Sequence, residues 1–237
     1  MSASEIIEEL KENGSASIKK VLMKHGAREP FFGVKVEYLK KIQKRVKMDY
    51  LLSLALYETG ISDAMYLAAL IADDQKMTKE DLEGWVESAY WSLLNENAVP
   101  WVAAGSRYGR ELALEWIDAP KETTAIAGWA TYSSLLTIKP DSELDLYEVQ
   151  ALLARVEQTI HTQPDRVRYN MNGFVICVGS YVAPLAEAAM ETAKRIGKVS
   201  VDVGDTSCRV SYAPDSIQKV WETAGGGVAK KRKTVKC

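Results

Sequence analysis

The sequence predicts an all-α protein, an α-solenoid (α-α superhelix) of stacked helix pairs with one small β-hairpin near the C-terminus. Three observations carry this. Apolar residues recur at helical spacing, as in Val36, Leu39, Ile42 and Val46, and again in Leu146, Val149, Leu152, Leu153, Val156 and Ile160. Start and stop signals fall at short intervals along most of the chain. One stretch alone, 199–212, alternates at the period of a strand.

Taken in order, the first helix is predicted over 4–13. Ser2-Ala3-Ser4-Glu5 reads as a capping box ahead of it, and Gly14 stops it. A second runs over 15–25 to Gly26. The third, 35–47, sets its apolar stripe against Lys40, Lys41, Lys44, Arg45 and Lys47 on the other side. Helices over 50–59 and 62–73 flank Gly60, and 65–72 is apolar almost all round, which puts it at the centre of the stack. Thr78-Lys79-Glu80-Asp81 is an acidic first turn for 78–94, followed by 96–105 and 107–117. The helix over 121–136 ends before Pro140; 145–160, 165–179, 182–196 and 214–224 complete the series. Short helices with short links stack because no single pair buries its apolar face alone. No motif repeats at a fixed period, so an irregular helical bundle is the alternative architecture.

Val199-Ser200-Val201-Asp202-Val203 and Thr206 to Tyr212 can pair as antiparallel strands across a Gly204-Asp205 turn. Such a hairpin is marginal in water unless it packs on helices or meets a partner. The expected organisation is one helical-repeat domain over 1–224, including the hairpin 199–212, and a flexible basic tail over 225–237. The tail opens on Gly225-Gly226-Gly227 and carries Lys230, Lys231, Arg232, Lys233 and Lys236.

Composition bounds the function. At 47% hydrophobic residues the chain can bury a substantial core, and no Pro/Gly/Ser-rich linker divides it. No run of about 18 uncharged apolar residues is present, so no membrane span is expected. Glu5, Glu8, Glu9 and Glu12 argue against a secretory or transit peptide. Cys177, Cys208 and Cys237, odd in number and widely spaced, point to a reducing compartment, and a cytoplasmic location is expected. The net charge of −2 conceals a division. Residues 1–50 carry 11 Lys/Arg against 7 Asp/Glu; residues 51–165 carry 7 against 19; residues 166–237 carry 12 against 6. Balances of +4, −12 and +6 leave both ends able to meet a polyanion.

Enzyme signatures are scarce. No Walker A loop, dinucleotide fingerprint or HExxH is present, so no cofactor is expected. His25 and His161, at helix ends, suit helix-dipole partners and not ligands, and no metal is expected. Six tryptophans, Trp85, Trp91, Trp101, Trp116, Trp129 and Trp221, are either core anchors or aromatics facing a groove.

Pro30-Phe31-Phe32-Gly33-Val34-Lys35-Val36-Glu37-Tyr38-Leu39-Lys40-Lys41-Ile42 resembles the opening motif of the AlkD-like family of HEAT-repeat DNA alkylation repair proteins. Gly128-Trp129-Ala130-Thr131-Tyr132 resembles a Trp-bearing helix start of that family, and Arg168-Tyr169-Asn170-Met171-Asn172-Gly173-Phe174, continuing to Tyr181, resembles its late helix. The similarity spreads over 20–195. It implies a curved array of helix pairs whose basic concave face holds duplex DNA, with excision of N3- and N7-alkylated bases in active members. The family's site has an aromatic, an aspartate four residues on, an arginine on a later helix and a second aromatic. These positions fall at Ala98, Val102, near Tyr132 and at Phe174, so three of the four depart.

Loss of an alkylated base develops positive charge on the sugar, which a carboxylate stabilises and valine cannot. Glu96 is the acid nearby and the remaining catalytic candidate. The hairpin likens the chain to the divergent AlkF/AlkG-type branch, whose members resemble DNA-structure binders more than base-excising enzymes. The expectation is a protein that binds branched or distorted duplex DNA through phosphate contacts. Lys40, Lys41, Lys44, Arg45, Arg107, Arg110, Arg166, Arg168 and Arg209 are the contacts expected, with Trp101, Trp129, Tyr132 and Phe174 as groove aromatics. The alternatives are an alkylpurine DNA glycosylase and a helical-repeat scaffold for a protein partner.

Overall fold

The computed structural model describes residues 1–202 and 209–236. Among these residues it contains α-helices with short 3-10 and π turns, and no strand. The helices are α1 (Ala3–Glu12), α2 (Ala16–Lys24), α3 (Val36–Val46), α4 (Tyr50–Glu58), α5 (Ser62–Ile71), α6 (Lys79–Ser88) and α7 (Val99–Gly105). They continue as α8 (Gly109–Ile117), α9 (Glu122–Ile138), α10 (Leu146–Thr159), α11 (Asp165–Tyr181), α12 (Ala186–Ile196) and α13 (Ala213–Thr223). Each helix expected from periodicity has its counterpart. The capping boxes form at Ser2/Glu5 and at Thr78/Asp81.

The stack has two rows. α3, α5, α7, α9, α11 and α13 touch in succession and form an inner row; α4, α6, α8, α10 and α12 back them as an outer row. α5 is buried at every position, in line with its all-round apolar sequence. The core falls into two parts, one built from α1 to α7 and one from α9 to α13, which meet at α7, α8 and α9. Among the described residues no single helix is long and apolar enough to cross a membrane.

Two expectations are corrected. The helix predicted over 78–94 ends at Ser88, and the chain re-enters through a π turn, Leu94–Ala98. The expected hairpin is not seen: 199–202 and 209–212 carry no strand, and 203–208, which hold the Gly204-Asp205 turn and the adjoining ends of both arms, lie outside the described residues. Both arms are engaged by helices instead. Val199 packs on the second core part, and the Ser211 carbonyl accepts a hydrogen bond from Asn172 Nδ2 at 3.0 Å. An arm bonded to helices meets the packing requirement without a ladder.

Residues 225–236, expected as a free tail, lie along the stack. Gly225 and Gly226 take φ of 87° and 108°, which few L side chains adopt. The Gly226 N–H donates to the Trp221 carbonyl and the Gly225 N–H to the Glu222 carbonyl, the Schellman pattern that ends α13 and turns the chain back.

Candidate nucleic-acid face

The π turn before α7 places the one acid singled out from the sequence. Pro100 has no N–H to offer the Glu96 carbonyl four residues back, so the α pattern cannot close there. The Val99 N–H reaches the Leu94 carbonyl instead, and the wider turn carries Glu96 onto the open face of the inner row. A cleft of about 210 Å³ opens there between α7, α9 and α11. Ala130, Ser133, Ser134 and Thr137 of α9 form one wall; Tyr169, Asn170, Gly173 and Cys177 of α11 form the other, with Glu96 and Trp101 at the floor.

The Glu96 side chain is 12% exposed and meets Arg166 at 2.5 Å. The contact runs from Arg166 Nη2 to Glu96 Oε1, Asn170 also approaches the carboxylate, and the buried Arg166 Nε has no hydrogen-bond partner among the described residues. The Arg166 guanidinium also lies 4.8 Å from the Tyr169 ring centroid. Burial pushes the Glu96 carboxyl above its ordinary value, and the Arg166 charge opposes that rise without cancelling it. An acid whose folded pKa is raised favours folding in its protonated form. Its contribution is therefore full below pH 4.5 and is lost as pH rises through the folded value. Glu96→Gln is expected to flatten this part of the stability profile, read by urea unfolding between about pH 4 and pH 8. Parallel profiles for parent and variant would overturn the assignment.

Three of the four expected groove aromatics are core residues. Trp129 and Phe174 are buried and meet edge to face at 5.2 Å. Tyr132 points to the outer row, where its hydroxyl donates to Glu148 Oε1 at 2.5 Å. The reason is helical phase: on α9 the cleft side is the small stripe Ala130, Ser133, Ser134, Thr137, and Trp129 and Tyr132 fall beside or behind it. Trp101 alone reaches the cleft, braced edge to face by Tyr66 at 5.5 Å. Tyr169 and Asn170 were not singled out as site residues, although the i, i+4, i+8 spacing of Tyr169, Gly173 and Cys177 marks a face without bulky apolar residues. Ala98 and Val102, the positions that align with the first aromatic and the acid, are fully buried.

The expected phosphate contacts divide by partner. Arg45 pairs with Glu9, Arg168 with Asp165 and Arg166 with Glu96. Arg110 makes a bidentate pair with Glu148 at 2.7 and 3.0 Å, on the outer row. Among the described residues Arg107 is held by Tyr108, by a hydrogen bond of 2.6 Å and over its ring. Lys41 lies over the Tyr38 ring at 5.9 Å. Lys40, Lys44 and Arg209 have no acidic partner among the described residues.

This division follows the charge blocks of the sequence. Between residues 51 and 165, six of the seven cations are neutralised by carboxylates: Lys76, Lys79, Arg110, Lys121, Lys139 and Arg155. In the first fifty residues, Lys20, Lys24, Arg28, Lys35, Lys40, Lys44 and Lys47 pair with no acid among the described residues. Beyond residue 165, Arg166, Arg168, Lys194 and Arg195 are paired with acids, and Lys198, Arg209 and Lys219 have no acidic partner among the described residues. Open positive charge therefore lies mainly in the first fifty residues and less among the last helices, while the middle satisfies six of its seven cations and keeps an excess of acid. Among the described residues no group of three His, Cys, Asp or Glu side chains is placed to hold a metal ion.

Residues 6–202 match the model of a family described as DNA alkylation repair enzyme. The chain belongs to the DNA alkylation repair enzyme family. Curated relatives of this family member include uncharacterized proteins of Listeria monocytogenes and Listeria innocua. Each is 34% identical over 206 residues, covering 84% of this chain and 88% of the relative. A solved structure matches all of the chain, and all of its own, at a TM-score of 0.91 and 34% identity. It is described as belonging to a new family of proteins related to the HEAT-like repeat DNA glycosylases with affinity for branched DNA structures. The two-row stack of this DNA alkylation repair family member is thus a HEAT-like repeat fold.

Proposed function

We propose that this chain binds branched duplex DNA through phosphate contacts, without base excision, as a member of the AlkF/AlkG-type branch. The observation that carries the reading is the division of open cations between the first fifty residues and Lys198, Arg209 and Lys219, on either side of a largely self-neutralised 51–165. Duplex arms diverging from a branch present phosphate to separated positive surfaces at once, which a single linear duplex does less well. The full-length similarity to a protein with affinity for branched DNA supports the same reading. Lys40, Lys41, Lys44 and Arg209 are the leading contacts, together with Arg107. Arg45, Arg166 and Arg168 contribute only by exchanging a carboxylate for a phosphate, and Arg110, on the outer row, is left out. A cytoplasmic location belongs to this reading.

Fluorescence anisotropy on a four-way junction, a bulged duplex and a linear duplex, each at about 50 and about 200 mM salt, tests it. The junction is expected to bind tightest, with log affinity falling against log salt by about 0.9 per phosphate contact. Equal affinity for the three DNAs, or a flat salt response, overturns the proposal.

One observation favours a second reading, an alkylpurine DNA glycosylase. Glu96 faces the cleft beside Trp101 and Tyr169, where a carboxylate could stabilise a sugar cation. Against it, burial disfavours the charged form and Arg166 occupies the carboxylate. Release of a methylated purine from damaged duplex, lost in Glu96→Gln, would establish this second reading.

A further inference from the structure

The C-terminal segment, residues 225–236, is fastened to the ends of three inner helices. Its Ala229 N–H donates to the Ser180 carbonyl in the last turn of α11, and its Arg232 N–H to the Thr137 carbonyl in the last turn of α9, both at 2.8 Å. Lys231 Nζ donates to the Leu136 carbonyl at 2.7 Å and pairs with Asp141 at 2.8 Å. Lys236 Nζ reaches the Ala72 carbonyl, at the end of α5, at 2.9 Å and pairs with Asp74 at 2.5 Å. Val235 packs against the first core part. The last carbonyls of a helix lack intrahelical donors and carry the negative end of its dipole, so ammonium groups and spare N–H groups are suited to them. These contacts lie 95 and 164 residues away in sequence for Lys231 and Lys236.

The five cations of the segment have two fates. Lys231 and Lys236 are turned in, with side chains 21% and 12% exposed. Lys230, Arg232 and Lys233 are exposed and have no acidic partner among the described residues. Arg232 instead lies over the Tyr181 ring at 5.7 Å and borders the Glu96 cleft. Lys233 borders a neighbouring cleft with Trp101 and Lys139.

We propose that residues 225–236 are a docked strap that carries phosphate-binding charge over the acidic middle of the stack. Lys231 and Lys236 lock it in place, and Lys230, Arg232 and Lys233 contact the DNA backbone. The partner follows from the chemistry. Three unpaired cations on an extended segment suit a regular polyanion, and two inward cations remove the nearest acids, Asp141 and Asp74, that would repel it. The inference rests on the DNA-binding reading above, and the strap supplies positive charge where the helices of that reading have none to spare.

The test uses the full chain and the four-way junction. The triple variant Lys230→Ala, Arg232→Ala, Lys233→Ala keeps both locks and is expected to fold as the parent does. Its log–log salt dependence should be shallower by up to about 2.7, at about 0.9 for each of three lost phosphate contacts. A parent-like slope on a junction that the parent binds overturns the strap proposal alone. Absence of junction binding by the parent overturns the DNA reading and this one together. Docking has a readout of its own: trypsin should cut the parent slowly within 230–236, and the double variant Lys231→Ala, Lys236→Ala rapidly at the remaining basic sites. Immediate cutting of the folded parent there overturns the strap whatever the DNA result.

Discussion

Asp63→Ala is expected to cost about 4 kcal/mol of stability, because two charge-assisted hydrogen bonds of about 2 kcal/mol each are lost together. Asp63 lies in the first turn of α5 and is 6% exposed. Its carboxylate accepts the Phe32 N–H at 2.6 Å and the Val34 N–H at 2.8 Å. Those donors belong to the extended Pro30 to Val34 segment, whose Phe31 and Val34 side chains are buried in the first core part. Gly33 within it takes a φ of 76°, and a Cβ there would lie 2.8 Å from the Lys19 nitrogen and the Ser15 carbonyl oxygen. The segment is thus pinned from α5 on one side and by close backbone approach on the other. Alanine leaves both donors without an acceptor in a site that water cannot fill freely. Urea unfolding measures the loss. A cost below about 1 kcal/mol would mean that the segment finds other acceptors.

The second large effect runs against helix propensity. Alanine in place of a helical glycine stabilises by about 1 kcal/mol where there is room. Gly128→Ala is nevertheless expected to destabilise by about 2 kcal/mol net, since overpacking against fixed neighbours costs about 3 kcal/mol. A Cβ at Gly128 would lie 2.4 Å from the Ile117 nitrogen and 2.7 Å from the Trp116 carbonyl carbon. Both are backbone atoms of α8, so no side chain can turn away to relieve the clash. Gly84 on α6 is the control: it has nothing within 4 Å, and Gly84→Ala should raise stability by about 1 kcal/mol. Thermal unfolding of the two variants should shift in opposite directions. A shift of the same sign in both would mean that the α8–α9 contact yields.

These two positions show what a sequence makes legible. Most helices among the described residues are legible because they bury one face, and burial writes itself as spacing: the Val36 to Val46 stripe lies inside α3, and the Leu146 to Val156 stripe lies inside α10, with Ile160 just past its end. The family was readable because Pro30 to Val34 and Gly128 are places where backbone geometry leaves little choice of residue. The orientation of the aromatics was harder. Trp129, Tyr132 and Phe174 came from alignment to a family pattern, which gives a position along a helix and not the side it faces; the small stripe on α9 carried that information.

The hairpin is not seen among the described residues for a related reason. Alternation at 199–203 fits any extended segment with one side against helices, and a ladder needs a partner that alternation does not name. The strap was hidden most deeply. Its acceptors are the Ala72, Leu136, Thr137 and Ser180 carbonyls, and a main-chain oxygen is the same for every residue type. Its glycines read equally well as a linker or as the reversal that ends α13.

A stack in which each helix pair touches only its neighbours behaves as a spring, and small changes of angle add up along its length. A segment bonded at α11, at α9 and at α5 passes across α7 and links the neighbouring pair α9 and α11 to α5, and so acts as a chord across the spring. Such a chord limits how far the coil can open or close. The spacing of α5, α9 and α11 is then held by the chain's own last residues before any ligand arrives.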